Sequence, residues 1–316
     1  YGVRYEYAQN YYTGEDQNGN RLTDSLVLDQ GVILPSLNFI YKLTSDQNLR
    51  LSATRTVARP SFKELSNAQI VDRISGRTFL GNINLLQTNI DNLDLRWEMF
   101  QKQGQMISIS GFYKRFVNPI ELVAFDAAAP DNFQPQNVGN ANVYGLELEI
   151  KRKLKFISKD TIYATSVGTN ITLVESSVEM TPGEKQGRID AARDGESIED
   201  TRDMVGQSPY IVNAFLNFNH VKSSTEIALS YNVQGPRLTV VGVSRNPDVY
   251  EMPFHSLNLK ATKKFGKEDK WRASIAARNI LGAERYFEYQ SYGAENQLFS
   301  LLKPQRNYSI GIGYTL

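Results

Sequence analysis

The sequence of 316 residues predicts an all-β fold, in which about twelve antiparallel strands form the wall of a transmembrane β-barrel. Three patterns predict this fold. Apolar and polar residues alternate along the chain, the alternating runs are ~9–11 residues long, and short connections alternate with long ones. A soluble β-sandwich shares the first pattern, because its sheets also bury one face, but it gives no reason for connections to alternate in length.

The alternation is clearest at residues 92–99, where apolar residues occupy every second position and polar residues occupy the others. A helix would not separate these two sets onto opposite faces, whereas a strand does. Similar runs recur as far as the last residue. With the weaker runs included, strands are predicted at residues 2–11, 32–43, 48–58, 90–100, 106–116, 142–153, 161–174, 209–219, 225–234, 253–263, 270–279 and 305–316.

The connections between these strands fall into two classes that alternate along the chain. Short, polar connections are predicted at 44–47, 101–105, 154–160, 220–224 and 264–269. Long connections, which hold most of the Pro, Gly and acidic residues, are predicted at 12–31, 59–89, 117–141, 175–208, 235–252 and 280–304. Outer-membrane barrels have short periplasmic turns and longer extracellular loops, so the long class is predicted to lie outside the cell.

Tyrosines near the predicted strand ends suit the headgroup level of a bilayer, where amphipathic rings are enriched. They are Tyr113, Tyr144, Tyr163, Tyr210, Tyr308 and Tyr314.

Composition excludes several other classes of protein. Lys and Arg number 35 against 34 Asp and Glu, so binding to nucleic acid through phosphate neutralisation is not expected. Cysteine is absent and only two histidines occur, which excludes disulfide scaffolds and zinc fingers. The mean hydropathy of -0.40 is typical of a soluble protein. A barrel strand, however, needs an apolar residue only at every second position.

Several segments resemble, in order, the barrel of TonB-dependent outer-membrane receptors. They are Arg-Thr-Val-Ala-Arg-Pro-Ser-Phe-Lys-Glu-Leu at 55–65, Gly-Asn at 81–82, Asp-Asn-Leu-Asp-Leu-Arg-Trp-Glu at 91–98, Asn-Val-Gly at 137–139, Val-Tyr-Gly-Leu-Glu-Leu-Glu at 143–149 and Arg-Asn-Ile-Leu at 278–281. The C-terminal residues are similar to the pattern that ends many outer-membrane barrels and is understood to be read by the barrel-assembly machinery. Those residues are Ser309, Gly311, Tyr314 and Leu316. The Pro and Lys often found in this family near residues 83–88 are not present here.

The resemblance implies the C-terminal half of a 22-stranded barrel whose lumen holds an N-terminal plug domain. Residues 1–316 are then the C-terminal barrel portion, and the plug and first barrel strands are expected upstream. It implies TonB-dependent uptake of a scarce nutrient, such as a ferric chelate, cobalamin, an oligosaccharide or a peptide. The implied location is the outer membrane of a Gram-negative bacterium. The implied partners are outer-membrane lipid, the N-terminal half of the same protein, the barrel-assembly machinery and, through the upstream part, the TonB energy-transducing protein.

Two sets of residues are predicted to matter for such a transporter. With an apolar exterior, the charged residues on the opposite face of the strands point into the lumen, where they contact a plug or water. This lumen-facing set is Asp94, Arg96, Glu98, Glu147, Glu149, Lys151, Lys260, Arg272 and Arg278. Substrate binding is expected from aromatic and charged residues of the long loops. This substrate-binding set is Arg59, Phe62, Arg237, Arg245, Tyr250, Tyr286, Tyr289 and Tyr292.

An acidic stretch suggests a metal site, because calcium and iron accept oxygen ligands. Its residues are Asp190, Asp194, Glu196, Glu199, Asp200 and Asp203. Their spacing matches no EF-hand loop, and three arginines are interspersed. A solvated loop is the preferred interpretation, and no metal or cofactor is predicted.

Two alternatives to the receptor remain open. A twelve-stranded outer-membrane hydrolase needs a histidine base beside a nucleophilic serine. His220 falls in a predicted periplasmic turn, and His255 points outward from its strand while Ser256 points the other way, so we predict that the protein is not an enzyme. A self-contained pore or translocator is the second alternative, and it predicts that the first strand pairs with the last.

Overall fold

The computed structural model describes residues 1–16, 19–67, 69–71, 73, 77–124, 132–158, 161–243 and 246–315. Within these residues, twelve long strands form one antiparallel sheet in which each strand pairs with the next along the chain. The strands are β1 (Gly2–Glu15), β2 (Arg21–Lys42), β3 (Gln47–Ala58), β4 (Thr88–Gln101), β5 (Gln105–Val117), β6 (Ala141–Ser158), β7 (Thr161–Glu179), β8 (Tyr210–His220), β9 (Thr225–Gln234), β10 (Phe254–Phe265), β11 (Trp271–Arg278) and β12 (Asn307–Tyr314).

This sheet, the wall, confirms the predicted number and order of strands. Its first and last strands, β1 and β12, do not pair with each other in the described residues, so the sheet is open at both edges. Several strands are longer than predicted. β2 has 22 residues, which at ~3.3 Å per residue is far longer than an apolar band ~25 Å tall. The predicted connection at 12–31 is therefore too wide, because β1 and β2 remain paired as far as Glu15 and Arg21.

The two faces of the wall differ as the alternation predicts. Large apolar side chains on one face are left exposed, among them Ile310 at 88%, Leu146 at 60% and Leu173 at 54%. Polar and charged side chains occupy the other face. Because no second sheet covers the apolar side chains in the described residues, their surroundings must be apolar, as lipid is. The apolar face is thus the outer face of a barrel, and the polar face is the inner one.

Two glycines on the inner face lie under aromatic rings of the neighbouring strand. A Cβ at Gly145 would lie 2.4 Å from the ring of Phe112, and one at Gly168 would lie 2.3 Å from the ring of Phe215. Such distances leave no room for any side chain unless the ring moves. These rings fill the space that the missing side chains leave in the wall.

Aromatic contacts mark the two ends of the outer face. Near the long connections, Tyr113 stacks on Tyr144 with ring centroids 6.2 Å apart. At the short turns, Trp271 lies 4.9 Å from Tyr314 and 6.4 Å from Phe265. Along β10, roughly ten residues separate the end near the long connections, the upper end, from the end at the short turns, the lower end. At the usual strand tilt this corresponds to a height of about 25 Å. This height matches the apolar band of an outer membrane.

The long connections fold into a structured layer above the wall, which the sequence pattern did not predict. Two small sheets make up this outer layer. Their strands are Gln69–Val71, Thr78–Leu80, Ile120–Ala124 and Asn132–Asn137 in the first, and Arg237–Val240, Asp248–Glu251, Arg285–Gln290 and Gln297–Leu302 in the second. A parallel bridge joins Val123 to Val241, and the amide of Ala124 donates to the carbonyl of Val241 at 3.0 Å. Connections far apart in the sequence therefore form one layer.

The outer layer has apolar cores of its own. Val123, Leu238 and Val241 are buried in one cluster together with Val178, at the end of wall strand β7, and Phe133 and neighbouring residues form a second. These clusters contrast with the wall, whose outer face is left largely exposed by the residues that the structure describes. The outer layer is thus held by packing as well as by strand pairing.

One helix, Pro182–Ala191, belongs to the connection between β7 and β8. Thr181 caps its first turn, since its hydroxyl accepts from the amide of Glu184 at 3.2 Å, and Pro182 suits the first helical position. In the described part of the chain, no helix combines the length and apolar character needed to cross a membrane.

Candidate functional site

A cluster of charged side chains, the loop ion cluster, ties three outer connections together. Arg202 lies between two carboxylates: its NH1 is 2.7 Å from Glu121 Oε2, and its Nε is 2.5 Å from Glu184 Oε1. Arg188 extends the cluster, 3.3 Å from Glu184 and 2.9 Å from Asp248. Glu121 follows β5, the helix follows β7, and Asp248 follows β9. These contacts therefore fix the three connections relative to one another.

The centre of the loop ion cluster is withdrawn from water. The side chains of Arg202 and Glu121 are only 6% and 2% exposed. Burial raises the pKa of Glu121, although Arg202 and the amide of Val205 oppose this shift. Burial and the charge of Asp248 also raise the pKa of Asp203. Removing Arg202 would leave Glu121 without its counter-charge, which is costly inside a protein.

A polar cleft of about 530 Å³ lies beside the loop ion cluster. It is bounded by the end of the helix, by a turn at 246–248 and by residues 290–292. Arg188, Arg193, Asp190 and Glu196 are among its lining residues, and the hydroxyl of Tyr292, which also lines it, donates to the carbonyl of Gly195 at 3.1 Å. The cleft is thus lined by charges of both signs.

A smaller apolar pocket of about 180 Å³ adjoins the polar cleft and shares Asn246 and Pro247 with it. Its walls include Phe133, Tyr289 and Phe299, and the last two rings meet edge to face at 4.9 Å. Together the cleft and the pocket, the outer site, suit a ligand that has both charged and aromatic or apolar parts.

The structure disperses most of the predicted substrate-binding set. Tyr289 lines the apolar pocket and Tyr292 lines the polar cleft, so these two lie at the outer site. Tyr250 is half-buried against an apolar core, and burial together with Asp248 raises its pKa to about 12. Tyr286 is exposed in its strand.

The remaining members of the set lie elsewhere. Arg59 is 2.8 Å from Glu6 of β1. Phe62 is 85% exposed. Arg237 is held 2.5 Å from Glu251, a carboxylate that is itself 1% exposed and also bonds Arg285. Arg245 lies outside the described residues.

Sequence reasoning missed the residues that build the outer site from several connections. Asn246, Asp248 and Gln290 line it, and none of them carries a motif. The arginines interspersed in the acidic stretch were the one feature of the sequence that could have pointed to this site. Asp190 and Glu196 of that stretch line the cleft, while Asp200 pairs with Lys185. No group of three or more potential metal ligands is found among the described residues.

The predicted lumen-facing set lies on the inner face. Glu98 joins Arg50 to Arg96, and Arg96 also reaches Glu149 at 3.1 Å. The others occupy inner-face positions without forming one site, and Lys260 and Arg272 line a separate inner groove. These others are Asp94, Glu147, Lys151 and Arg278.

The two histidines and the C-terminal pattern are placed as follows. His220 Nδ1 lies 2.5 Å from Ser223 Oγ at a short turn, and His255 lies 2.7 Å from the hydroxyl of Tyr231 near the upper end of the wall. In the C-terminal pattern, Ser309, Gly311 and Tyr314 belong to β12. Leu316 lies outside the described residues.

Solved structures with a similar fold include an outer-membrane transporter, an iron transporter and a ferric enterobactin receptor. The chain is similar to the outer-membrane transporter YddB from Escherichia coli, with 10% identity, a TM-score of 0.59 and coverage of 91% of this chain and 41% of that one. It is also similar to the FrpB iron transporter from Neisseria meningitidis, with 11% identity, a TM-score of 0.57 and coverage of 99% and 42%. A third similar structure is a mutant of the ferric enterobactin receptor from Pseudomonas aeruginosa, solved with enterobactin. It has 15% identity, a TM-score of 0.53 and coverage of 90% of this chain and 40% of that one.

These likenesses show the fold alone, and the chain spans less than half the length of each of these proteins. No curated protein matches the chain. The family described as TonB dependent receptor-like, beta-barrel matches residues 1–280. That match covers most of the wall and of the outer layer, and it agrees with the open antiparallel sheet and its exposed apolar face. The chain therefore belongs to the TonB-dependent receptor β-barrel family.

Proposed function

We propose that the chain is part of a receptor in the outer membrane of a Gram-negative bacterium that imports a scarce nutrient with energy supplied through TonB. The observation that carries this proposal is the combination of a membrane-type wall with a structured outer layer that holds a polar cleft. The wall supplies an apolar outer face, and the outer layer supplies a site open to the cell surface. Family membership supports the same assignment.

The open edges of the wall support a larger barrel. Unpaired strand edges are costly in hydrocarbon, since each unsatisfied backbone group costs several kcal/mol. We infer that further strands of the same protein complete the wall between β12 and β1, and that a plug domain occupies the lumen. In this proposal TonB acts through that plug, and the assembly machinery reads Ser309, Gly311, Tyr314 and Leu316.

An iron chelate is the substrate class that we propose to test first. Relatives of this fold include a ferric enterobactin receptor, an iron transporter and a siderophore receptor. The outer site fits such a ligand because Arg193, an exposed arginine, lines the cleft beside an apolar pocket. Anionic groups of a chelate would contact the arginine, and its aromatic groups would enter the pocket. Binding needs no covalent chemistry, only closure of the outer connections over the ligand.

Growth under iron limitation tests the proposal. A strain that lacks the protein should grow only when it is supplied with iron in another form, and the protein should restore growth on a ferric chelate only if TonB is present. Unchanged uptake of labelled ferric chelate in the absence of the protein would refute iron as the substrate. A panel with cobalamin, oligosaccharides and peptides would then test the other substrate classes.

Point variants locate the binding site. Arg193→Ala should weaken chelate binding by about tenfold, the amount expected for one lost charge-assisted contact. Lys222→Ala is the matched control. This residue lies in a short turn at the end of the wall away from the outer layer, so the variant should bind the chelate as the wild type does. Equal affinity in both variants would move the binding site away from the polar cleft.

A further inference from the structure

The two small sheets of the outer layer form one continuous run of strands, because the bridge between Val123 and Val241 joins them side by side. In order, the strands of this run are Gln69–Val71, Thr78–Leu80, Asn132–Asn137, Ile120–Ala124, Arg237–Val240, Asp248–Glu251, Arg285–Gln290 and Gln297–Leu302. Six strand spacings of about 4.8 Å separate the second strand from the last, so in a flat layer these two strands would lie roughly 29 Å apart.

One arginine shows that the layer is curled instead. Arg77 directly precedes Thr78–Leu80, and its guanidinium carbon lies 3.3 Å from the centre of the Phe299 ring in the last strand. Its NH2 group also donates to the carbonyl of Phe299 at 2.9 Å. An arginine side chain is far shorter than the separation expected in a flat layer, so the two ends of the run approach each other. We call the contact between Arg77 and Phe299 the seam.

The seam is made by a side chain and not by strand pairing. Among the residues that the structure describes, no backbone ladder joins Thr78–Leu80 to Gln297–Leu302. A guanidinium over an aromatic ring is attracted by the negative face of the ring, and its hydrogen bond to the carbonyl fixes the backbone of the same residue. Arg77 therefore holds both the ring and the main chain of Phe299.

The ring that forms the seam is also a wall of the apolar pocket. The pocket takes residues from both sheets, with Phe133 from the first and Val249, Tyr289 and Phe299 from the second. The rings of Phe133 and Phe299 meet edge-on across the two sheets, with their centroids 6.3 Å apart. In the described part of the chain, the lining of the pocket does not include Arg77. The arginine thus contacts a wall of the pocket and not the space inside it.

The apolar pocket has the size and the walls for one planar ring. Its volume is about 180 Å³, and an apolar cavity of ~150 Å³ is large enough to bind benzene. Aromatic walls attract an aromatic ring beyond the burial of area, provided that the rings can stack or meet edge to face. A puckered saturated ring offers no such geometry. The pocket therefore favours a planar aromatic group as long as Phe299 keeps its orientation.

We propose that Arg77 is a positioning residue for ligand binding, which holds Phe299 at the seam and thereby makes the apolar pocket selective for a planar aromatic group. Arg77 acts on the ligand only through Phe299. The inference rests on the proposed function, because it needs ligands to enter the outer site. It adds the residue that sets the preference of that site for an aromatic ring, and it depends neither on iron nor on TonB.

Competition between two carboxylates tests this selectivity. Benzoate and cyclohexanecarboxylate have the same charge and the same number of ring carbons, but only benzoate is planar and aromatic. In ligand-observed NMR on the full protein in detergent, the wild type should bind benzoate roughly fivefold more tightly than the saturated analogue. Arg77→Gln should remove this preference, and Arg77→Lys should retain part of it, because a lysine keeps a cation near the ring.

Lys63→Gln is the matched control. Lys63 lies 4.0 Å from the centre of the Phe79 ring in the same connection, but Phe79 is not among the described residues that line the pocket, so the preference should stay as in the wild type. Equal affinity of the wild type for the two carboxylates would overturn the proposal. So would an Arg77→Gln variant that keeps the preference, or one that loses affinity for both carboxylates equally, since the latter marks a merely structural role.

The distance across the seam provides a second measurement that needs no ligand. The chain has no cysteine, so spin labels can be attached to Thr78→Cys and Ser300→Cys in the full protein once any cysteine outside residues 1–316 is replaced. Pulsed electron paramagnetic resonance should give a distance well below the ~29 Å of a flat layer. Arg77→Gln should broaden the distribution towards longer distances, whereas Lys63→Gln should not. A distribution that Arg77→Gln leaves unchanged would refute the role of Arg77 at the seam. Neither measurement uses iron, so either can fail while the growth assay succeeds, and the reverse also holds.

Discussion

The wall and the outer layer solve the problem of burying apolar residues in different ways. The wall exposes side chains such as Ile310 and Leu146 and relies on continuous backbone pairing from β1 to β12. The outer layer has short strands, but it buries Leu238 and Val241 and locks its connections with the loop ion cluster. The stability of the wall therefore depends on apolar surroundings such as lipid, while the outer layer is stabilised by its own buried core, as a small soluble domain is. Substitutions should follow different rules in the two regions.

The largest effect is expected in the outer layer, at Arg202. Arg202→Ala leaves Glu121 and Glu184 buried without their shared counter-charge, which should destabilise this layer by about 3–5 kcal/mol. Proteolysis of the outer connections should accelerate while the wall stays folded, as judged by its resistance to heat in detergent. Lys185→Ala, which removes an exposed ion pair with Asp200, is the control and should change little. If proteolysis cut the outer connections equally fast in the two variants, the central role of Arg202 would be contradicted.

The next effect is expected on the outer face of the wall. Leu95→Lys places a charge among lipid tails and should lower the free energy of unfolding of the assembled barrel by about 2–4 kcal/mol. Ser52→Lys, on the inner face opposite Asp94, should be tolerated. Urea titrations in lipid vesicles measure both variants. If the lysine at 52 were the more harmful one, the assignment of the two faces would be wrong.

A smaller effect is expected where a ring covers a glycine. Gly168→Ala places a methyl group against Phe215 and should destabilise the wall by about 1–3 kcal/mol. Phe215→Leu in the same chain should recover part of this loss, because the smaller side chain makes room. A double variant no more stable than Gly168→Ala alone would show that the ring is not the obstacle. Urea titration again provides the measurement.

The smallest expected effect is the dependence of the stability of the outer layer on pH. Burial raises the pKa of Glu121 above its ordinary 4.5, so the folded layer holds this proton more tightly than the unfolded chain does. The stabilising contribution of that protonation is complete below pH 4.5 and is lost as the pH rises through the folded pKa. Glu121→Gln should flatten this part of the profile, as measured by hydrogen-exchange protection of the layer. A profile that the substitution leaves unchanged would assign the dependence to Asp203, whose pKa is also raised.

The wall was predictable because its signal is local. The alternation around Leu93 and Leu95 assigned the strand and its two faces, and each wall strand pairs with the next wall strand along the chain. Strand ends were less predictable, since β2 continues well beyond the apolar band. The reason is that backbone pairing continues wherever two strands remain adjacent, whether or not lipid surrounds them.

The outer site was not predictable in the same way. Arg237 was a plausible ligand-binding residue, yet Glu251 and Arg285 engage it within the layer. Tyr289 and Tyr292 lie at the outer site, but they meet there with Asn246 and Arg188 from other connections. No periodic pattern marks such meetings, because irregular connections have no fixed repeat.

By itself, the sequence determined the class of fold, the number and order of the strands and the two faces of the wall, because a period of two depends only on neighbouring residues. Only the tertiary structure decided how the outer connections pair, which arginines are neutralised and where a cleft opens. Those features depend on residues far apart in the chain, such as Val123 with Val241 and Arg188 with Asp248, whose contacts form only when the wall has brought their connections together.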